Sequence, residues 1–381
     1  MADPPVRTRK TRFVCVSDTH NASPNGAFKL PKGDVLIHAG DLTNQGNYSE
    51  LRNSVQWIED ADFEAKIVIA GNHDVTLDST FYGQYGSYFH NQGLQDIKKC
   101  QDILEESSSI TYLRHESAII RLSSSDGPRT SFKIFGSPYS PAKGMWAFGY
   151  SPEEATHIWD KIPLDSDIVV THTPPKCHCD ERRDRRAAGC DALRFCGHVH
   201  ESRGAEIIKW DLEMSNHKYK EDGVERWTDP GEGNKKISLV NLDSKRGRGL
   251  LNDGSVGDVA FGGVPNHHPA YIPLQQPPAP AEPCITSNRS PTTLQKALTQ
   301  MAANLLALPS ESLTAATRGQ GGLPPSSRCD LEALSGRLGR KETCVVNAAI
   351  LASSWPYKGH GGKKFNKPIV VDLDLPTWYD E

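Results

Sequence analysis

No run of apolar residues in this 381-residue chain approaches the roughly 20 that a membrane-spanning helix needs. Behind the short, basic stretch 1–12 there is no apolar core of the kind a secretory signal carries, only the brief run Phe13–Val16. Neither sign of charge dominates. A net charge of −4 and a pI near 6.4 exclude a global attraction to nucleic acid or to an anionic membrane. A phosphate-bearing substrate would therefore have to meet positive charge concentrated in one place, which metal ions can supply. The nine cysteines are odd in number and scattered, so no disulfide framework is legible. The chain also lacks a Gly-x-Ser-x-Gly elbow, a Walker loop and a dinucleotide fingerprint. These absences set the expectation of a soluble, reduced, cytoplasmic protein outside those enzyme classes.

Apolar residues are also scarce. At 37% hydrophobic, with 26 Pro, 32 Gly and a mean hydropathy of −0.53, the chain is expected to leave part of itself unpacked. The first two hundred residues are the packed part. Phe13–Val16, Val35–His38, Lys66–Ala70, Ala118–Leu122, Lys133–Gly136 and Ile168–Thr171 read as short buried strands. Leu51, Val55 and Ile58 fall on one face of a helix that starts near Ser49. A second helix is expected over Pro152–Ile162, with Ser151 as its cap and Pro152 in its first turn.

The composition changes after about Lys209. A Gly- and charge-rich run leads into the Pro-rich tract Pro273–Pro283, and strand-like text returns only at Cys344–Leu351 and Pro368–Leu373. The expected organisation is a flexible N-terminus over 1–11, one domain over 12–209 plus 343–376, and a largely disordered insertion over 210–342. Within that insertion Leu294, Leu298, Met301 and Leu305 share a helical period. A helix over 290–308 is the one place where a protein partner would be sought.

Five short motifs stand directly after expected strands: Asp18-Thr19-His20, Gly40-Asp41, Gly71-Asn72-His73-Asp74, His172, and Gly197-His198-Val199-His200. Strand ends are where layered α/β folds place ligands. Hydrolysis of a phosphate ester needs a strong nucleophile at neutral pH and a clamp for the charge on the transferring oxygens. Two divalent metals roughly 3.5–4 Å apart provide both. A mixed carboxylate and imidazole ligand set suits Mn, Fe, Zn or Ni better than Ca or Mg. Each motif alone is weak; all five in order are a strong signal.

Together the five motifs, with the surrounding text VSDTHN, GDVLIHAGDLTNQG and AGNHDVTLD, resemble the calcineurin-like metallophosphoesterase superfamily. Within it they are most similar to its metallophosphoesterase-domain-containing branch of animals and fungi. The resemblance covers about residues 12–210 plus 343–376. It implies an α/β fold, a four-layer α/β/β/α sandwich. It further implies one metal held by Asp18, His20, Asp41 and His200 and a second by Asp41, Asn72, His172 and His198, with Asp41 bridging. His73 falls at the family's general acid, and Asp74 is expected to orient or acidify it. The nucleophile implied is a metal-bridging hydroxide, acting on small or aryl phosphodiesters, with manganese first among the cofactors and Fe, Zn, Ni or Mg as alternatives. The alternatives for function are a phosphomonoesterase or protein phosphatase, and a catalytically impaired scaffold.

One departure from the family pattern bears on that last alternative. Between Cys190 and Cys196 stands only Asp191-Ala192-Leu193-Arg194-Phe195, where relatives place a helix and a full strand. Two further features lie nearby. Cys177-His178-Cys179 with Cys190 has spacing that fits no common closed zinc site, and reads as a loop whose His178 could touch substrate. Arg182 and Arg183, in a basic cluster with Arg185 and Arg186, are candidates for phosphate recognition, although Asp180, Glu181 and Asp184 offset their charge.

Overall fold

The computed structural model describes residues 7–24, 26–163, 166–175, 177–180, 195–196, 198–211, 220–251, 341–352 and 363–378, all within one compact unit. Two β layers face each other. The first is a six-stranded sheet in which β1 (Thr8–Val16) lies between β15 (Ile369–Pro376) and β2 (Val35–Ala39); β3 (Ala65–Ile69), β4 (Thr111–Tyr112) and β13 (Ser238–Leu242) complete the order β13-β15-β1-β2-β3-β4. β1, β2 and β3 run parallel, with Phe13 opposite Val35 and Ile37 opposite Ile67, while β15 pairs antiparallel to β1.

The second layer is made by two smaller sheets. One holds β5 (Glu116–Arg121), β6 (Ser131–Ser137) and β9 (Ile168–Thr171). The other has the order β10-β14-β11-β12, from Phe195–Cys196, Glu342–Asn347, Gly204–Asp211 and Lys220–Arg226. β9 and β10 lie side by side, so the two sheets meet edge to edge. A small parallel pair, β7 (Ser140–Pro141) and β8 (Gly149–Tyr150), stands apart.

Alternation along the strands builds the core. Phe13, Val35, Ile37, Ile67 and Val371 of the first sheet pack against Phe132, Ile134, Ile168, Ile207 and Val346 of the second. The opposite face of the first sheet, with Val14, Leu36, Val68 and Val370, is covered by α1 (Tyr48–Glu59) and α3 (Ile97–Glu105) through Leu51, Val55, Ile58, Cys100 and Leu104. The far side of the second layer packs Phe135 and Val169 against Trp159 of α4 (Ala155–Trp159). The result is the four-layer α/β/β/α sandwich.

Several details differ from the sequence expectation. α1 starts one residue before Ser49 and is capped by Asn47, whose side chain accepts from the Glu50 amide while Glu50 closes a capping box. α4 begins three residues later than Pro152, because Glu154 draws residues 151–154 into a turn: its carboxylate accepts from the Ser151 amide and its own amide donates to the Ser151 carbonyl. α2 (Ser79–Phe89) and α3 were not expected; each is started by an aspartate, Asp78 and Asp96, that accepts from a first-turn amide. The expected insertion also begins too early. Residues 220–251 carry β12 and β13, and β13 pairs in register with β15 from Ser238 to Leu242. The helix expected over 290–308 lies outside the described residues. Among the described residues no helix is long and apolar enough to cross a membrane.

Candidate metal centre

Five loops leave the carboxyl ends of β1, β2, β3, β9 and β10 at one edge of the sandwich and bring their polar side chains together. Asp18, His20, Asp41 and His200 form one group of donors, and Asp41, His172 and His198 form another that shares Asp41. In the first, His200 Nε2 stands 3.2 Å from Asp18 Oδ1 and 3.4 Å from His20 Nε2, and His20 Nε2 is 3.6 Å from Asp41 Oδ2. In the second, Asn72 Oδ1 lies 2.9 Å from His172 Nε2 and 2.8 Å from His198 Nδ1, and His172 Nε2 is 3.4 Å from Asp41 Oδ1. Asp41 thus turns one oxygen to each group. All seven residues singled out in the sequence meet here, in the two sets that the family resemblance implies.

The loops are held in conformations that side chains rarely adopt. Asp18, His20, Asp41 and His198 all have positive φ, between 43° and 65°, where only glycine is at ease. Such strain persists where surrounding structure over-determines it, and here the bonds are in place. The Asp18 amide donates to the Gly40 carbonyl at 2.9 Å and the His20 amide to the Asp41 carbonyl at 3.1 Å. Gly71 is the point of closest approach: a Cβ there would stand 2.4 Å from Asp41 Oδ1 and 2.8 Å from the His172 ring.

The donor set fits divalent metal ions. His172 Nδ1 is 3.0 Å from the Ala39 carbonyl and His20 Nδ1 is 3.1 Å from that of Thr43. A carbonyl only accepts, so each Nδ1 carries a proton and each Nε2 is the nitrogen presented to the shared centre. Imidazole nitrogens of different residues then approach one another at 3.2–3.4 Å, with the Asp18 and Asp41 carboxylates beside them, a convergence of ligand atoms that a cation can occupy. Burial holds His20 and His198 down to about 3, in the neutral form a metal requires. For Asp18 and Asp41 burial pushes toward protonation, but it is outweighed, by the hydrogen bond and charge of His200 for Asp18 and chiefly by the charge of His172 for Asp41; both stay below the usual carboxylate range. His172 is the exception. Burial would lower it, yet the charge and hydrogen bond of Asp41 bring it to about 9, so its proton occupies the place a metal takes.

His73 stands beside the donors without joining them. Its amide donates to Asp41 Oδ1 at 2.8 Å, and its Nδ1 is 2.8 Å from the Asn44 carbonyl. Its ring stacks on Trp146, centroids 3.8 Å apart at 32°, and meets His20 edge-on at 4.7 Å. The Asp74 carboxylate is fully buried and accepts from the amides of Leu42, Thr43 and Gly71 and from the Thr43 hydroxyl at 2.7–3.2 Å. It clamps the Asp41 loop to the Asn72 loop, and the Asn44 carbonyl orients His73.

The substrate candidates fare differently. His178 is buried, with its ring between Glu206 and Glu221, 3.4 Å from a carboxylate oxygen of each, and none of the described metal donors is its partner. Arg182 and Arg183 lie outside the described residues. Despite the shortened segment before it, β10 pairs with β14 through Phe195 and Cys196 and delivers His198 and His200 to the centre. Sequence reasoning missed the two groups that hold the His73 ring, Trp146 and the Asn44 carbonyl, neither of which carries a signal in the sequence.

Comparison with known proteins agrees with this geometry. The model of the calcineurin-like phosphoesterase family matches residues 11–202. Metallophosphoesterase domain-containing protein 1 of Homo sapiens is 33% identical over 220 residues, covering 53% of this chain and 64% of that protein. A UPF0046 protein of Caenorhabditis elegans is 33% identical over 220 residues, covering 53% of this chain and 73% of its own length. A probable rhamnogalacturonate lyase C of Emericella nidulans is 38% identical over 229 residues, 57% of this chain but only 20% of that protein. Most of the lyase-named protein therefore lies outside the match, and the human protein is spanned for less than two thirds of its length.

Proposed function

The chain belongs to the calcineurin-like phosphoesterase family, whose chemistry is metal-dependent hydrolysis of phosphate esters, and we propose that this member cleaves phosphodiesters with manganese as its metal and His73 as general acid. The observation that carries the reading is the pair of donor groups fused at Asp41. Two divalent ions bound there would supply an activated water and charge to hold the phosphoryl oxygens.

The chain's own residues account for the rest. Asp18, His20 and His200 would hold one ion, Asn72, His172 and His198 the other, and Asp41 both. Oxygen and imidazole donors in this mixture suit manganese, iron or zinc. Because the Nδ1 proton of His73 is committed to the Asn44 carbonyl, His73 acts as an acid only as the imidazolium, giving up the proton at Nε2 to the departing oxygen. The Asp41 contact to the His73 amide ties the position of that acid to the residue shared by the two donor groups. Asp74 keeps the two loops in register and has no part in the proton transfer.

The test is turnover of an aryl phosphodiester and of the matching monoester by purified protein with added manganese, beside Asp41→Ala and His73→Ala. Manganese-dependent diester cleavage, lost in Asp41→Ala and, in His73→Ala, slowed the more as the leaving group becomes more basic, supports the reading. Cleavage of the monoester alone replaces the diesterase by a monoesterase. Two ions bound per chain with no turnover of either substrate leaves a metal-binding scaffold.

A further inference from the structure

We propose that Asn347 is a positioning residue of the metal centre: from β14 it fixes the arm that carries one histidine to each donor group, an inference that rests on the two-metal reading above. Asn347 is fully buried, and its side-chain amide is spent on backbone groups. Nδ2 donates to the Val199 carbonyl at 2.9 Å and to the Cys179 carbonyl at 3.1 Å, and Oδ1 accepts from the Ala349 amide at 3.2 Å. Val199 lies between His198 and His200, which belong to different donor groups. Holding that one carbonyl therefore sets both rings at once.

The arm needs such support from outside. The strand that delivers it, β10, is only two residues long, and Cys196 sits opposite Asn347 itself. His198 is held at φ 65°, a conformation that relaxes once its neighbours let go. The residues after Asn347 brace the other arm in turn. The Ser17 amide donates to the Ala348 carbonyl at 3.1 Å, the Ile350 amide to the Ser17 carbonyl at 2.9 Å and the Leu351 amide to the Asp18 carbonyl at 3.2 Å. Residues 347–351 thus stand between the loop of Asp18 and His20 and the loop of His198 and His200. They lie outside residues 11–202, which the family model matches.

Without the amide, the Cys179 carbonyl loses this donor, the Val199 carbonyl keeps the Ser202 amide of its own loop at 3.0 Å, and the arm loses its tie to β14. Supporting partners of metal ligands typically account for about 10- to 100-fold in metal affinity. The experiment is manganese titration by calorimetry, without substrate, on the full chain carrying Asn347→Ala or Asn347→Ser, with Trp159→Ala as a control for lost stability in another layer. Trp159 is buried on the far side of the second layer, in a cluster that holds neither a donor nor any of residues 347–351. The expected result is manganese affinity about 10- to 100-fold weaker in Asn347→Ala, a smaller loss in Asn347→Ser, and wild-type affinity in Trp159→Ala despite its lower melting temperature. Two ions bound by Asn347→Ala with wild-type affinity would overturn the proposal.

Should neither Asn347 variant fold, the wild type decides it. Manganese loading is expected to slow amide exchange at Ile350 and Leu351, and unchanged exchange there overturns the brace. A wild type that binds no manganese overturns this inference together with the two-metal reading. One that binds two ions without turnover overturns only the hydrolase.

Discussion

Gly71 faces Asp41 so closely that a Cβ on Gly71 would stand 2.3 Å from the Asp41 backbone nitrogen. No L side chain fits there, because the neighbouring atoms are backbone and the carboxylate shared by both donor groups. Gly71→Ala is expected to push the Asp41 and Asn72 loops apart and to weaken manganese binding by at least ~10-fold, on the scale seen when ligand-supporting contacts are lost. Metal content after dialysis checks it, with circular dichroism showing that the sandwich persists.

His73→Gln removes the acid and leaves the donors intact. A general acid contributes about 10²–10⁴-fold in rate, and the loss should depend on the leaving group. It is expected to be small for a nitrophenolate, which departs without a proton, and large for an alkoxide. The dependence of kcat on leaving-group basicity, measured in both proteins, should be steeper in the variant, with the manganese affinity unchanged.

Asp74→Ala takes one acceptor from four donors in a fully buried place. Leaving buried donors unpaired costs about 1–3 kcal/mol each in the worst case, so a loss of roughly 3 kcal/mol in unfolding free energy is expected by urea titration. Unchanged stability with a lower kcat would instead return Asp74 to the role of orienting His73.

The metal-free protein should be most stable near pH 6.5, where the opposing contributions of its buried histidines meet. His20 and His198 are held near 3 and His38 near 4, chiefly by burial. As pH falls below the unfolded value near 6.5, the unfolded chain takes protons that the folded one refuses, and stability drops. His172, raised to about 9, acts in the other direction: its contribution is complete below 6.5 and is lost as pH rises through 9. Melting temperature against pH tests both limbs. The same proton on His172 predicts release of about one proton per chain when manganese binds near pH 7.5, visible as a buffer-dependent heat of binding.

The metal centre was legible in the sequence because its chemistry demands particular residue types and the fold demands that they follow strands. Asp18, Asp41, Asn72, His172 and His198 satisfy both conditions within short motifs. The supports were not legible for the converse reason. The Asn44 and Ala39 carbonyls have no side-chain signature, and Asn347 meets Val199 across a long separation in sequence. α2 escaped notice because Gly83 and Gly86 interrupt an aromatic, weakly periodic stretch. β12 reads KEDGVER, which has the composition of a polar tract; it is the edge of its sheet, where charged residues face water and discourage further pairing.

β15 lies between β13 and β1 in the first sheet, and β14 between β10 and β11 in the second. On the ribosome this order delays assembly: both donor groups have been synthesised by residue 200, yet the strands that flank β1 and brace their loops come from residues beyond 340. During that interval the apolar edge of β1 has only β2 to pair with, a condition that favours misassociation of nascent chains. The first sheet therefore cannot close around β1 before its last strand has left the ribosome.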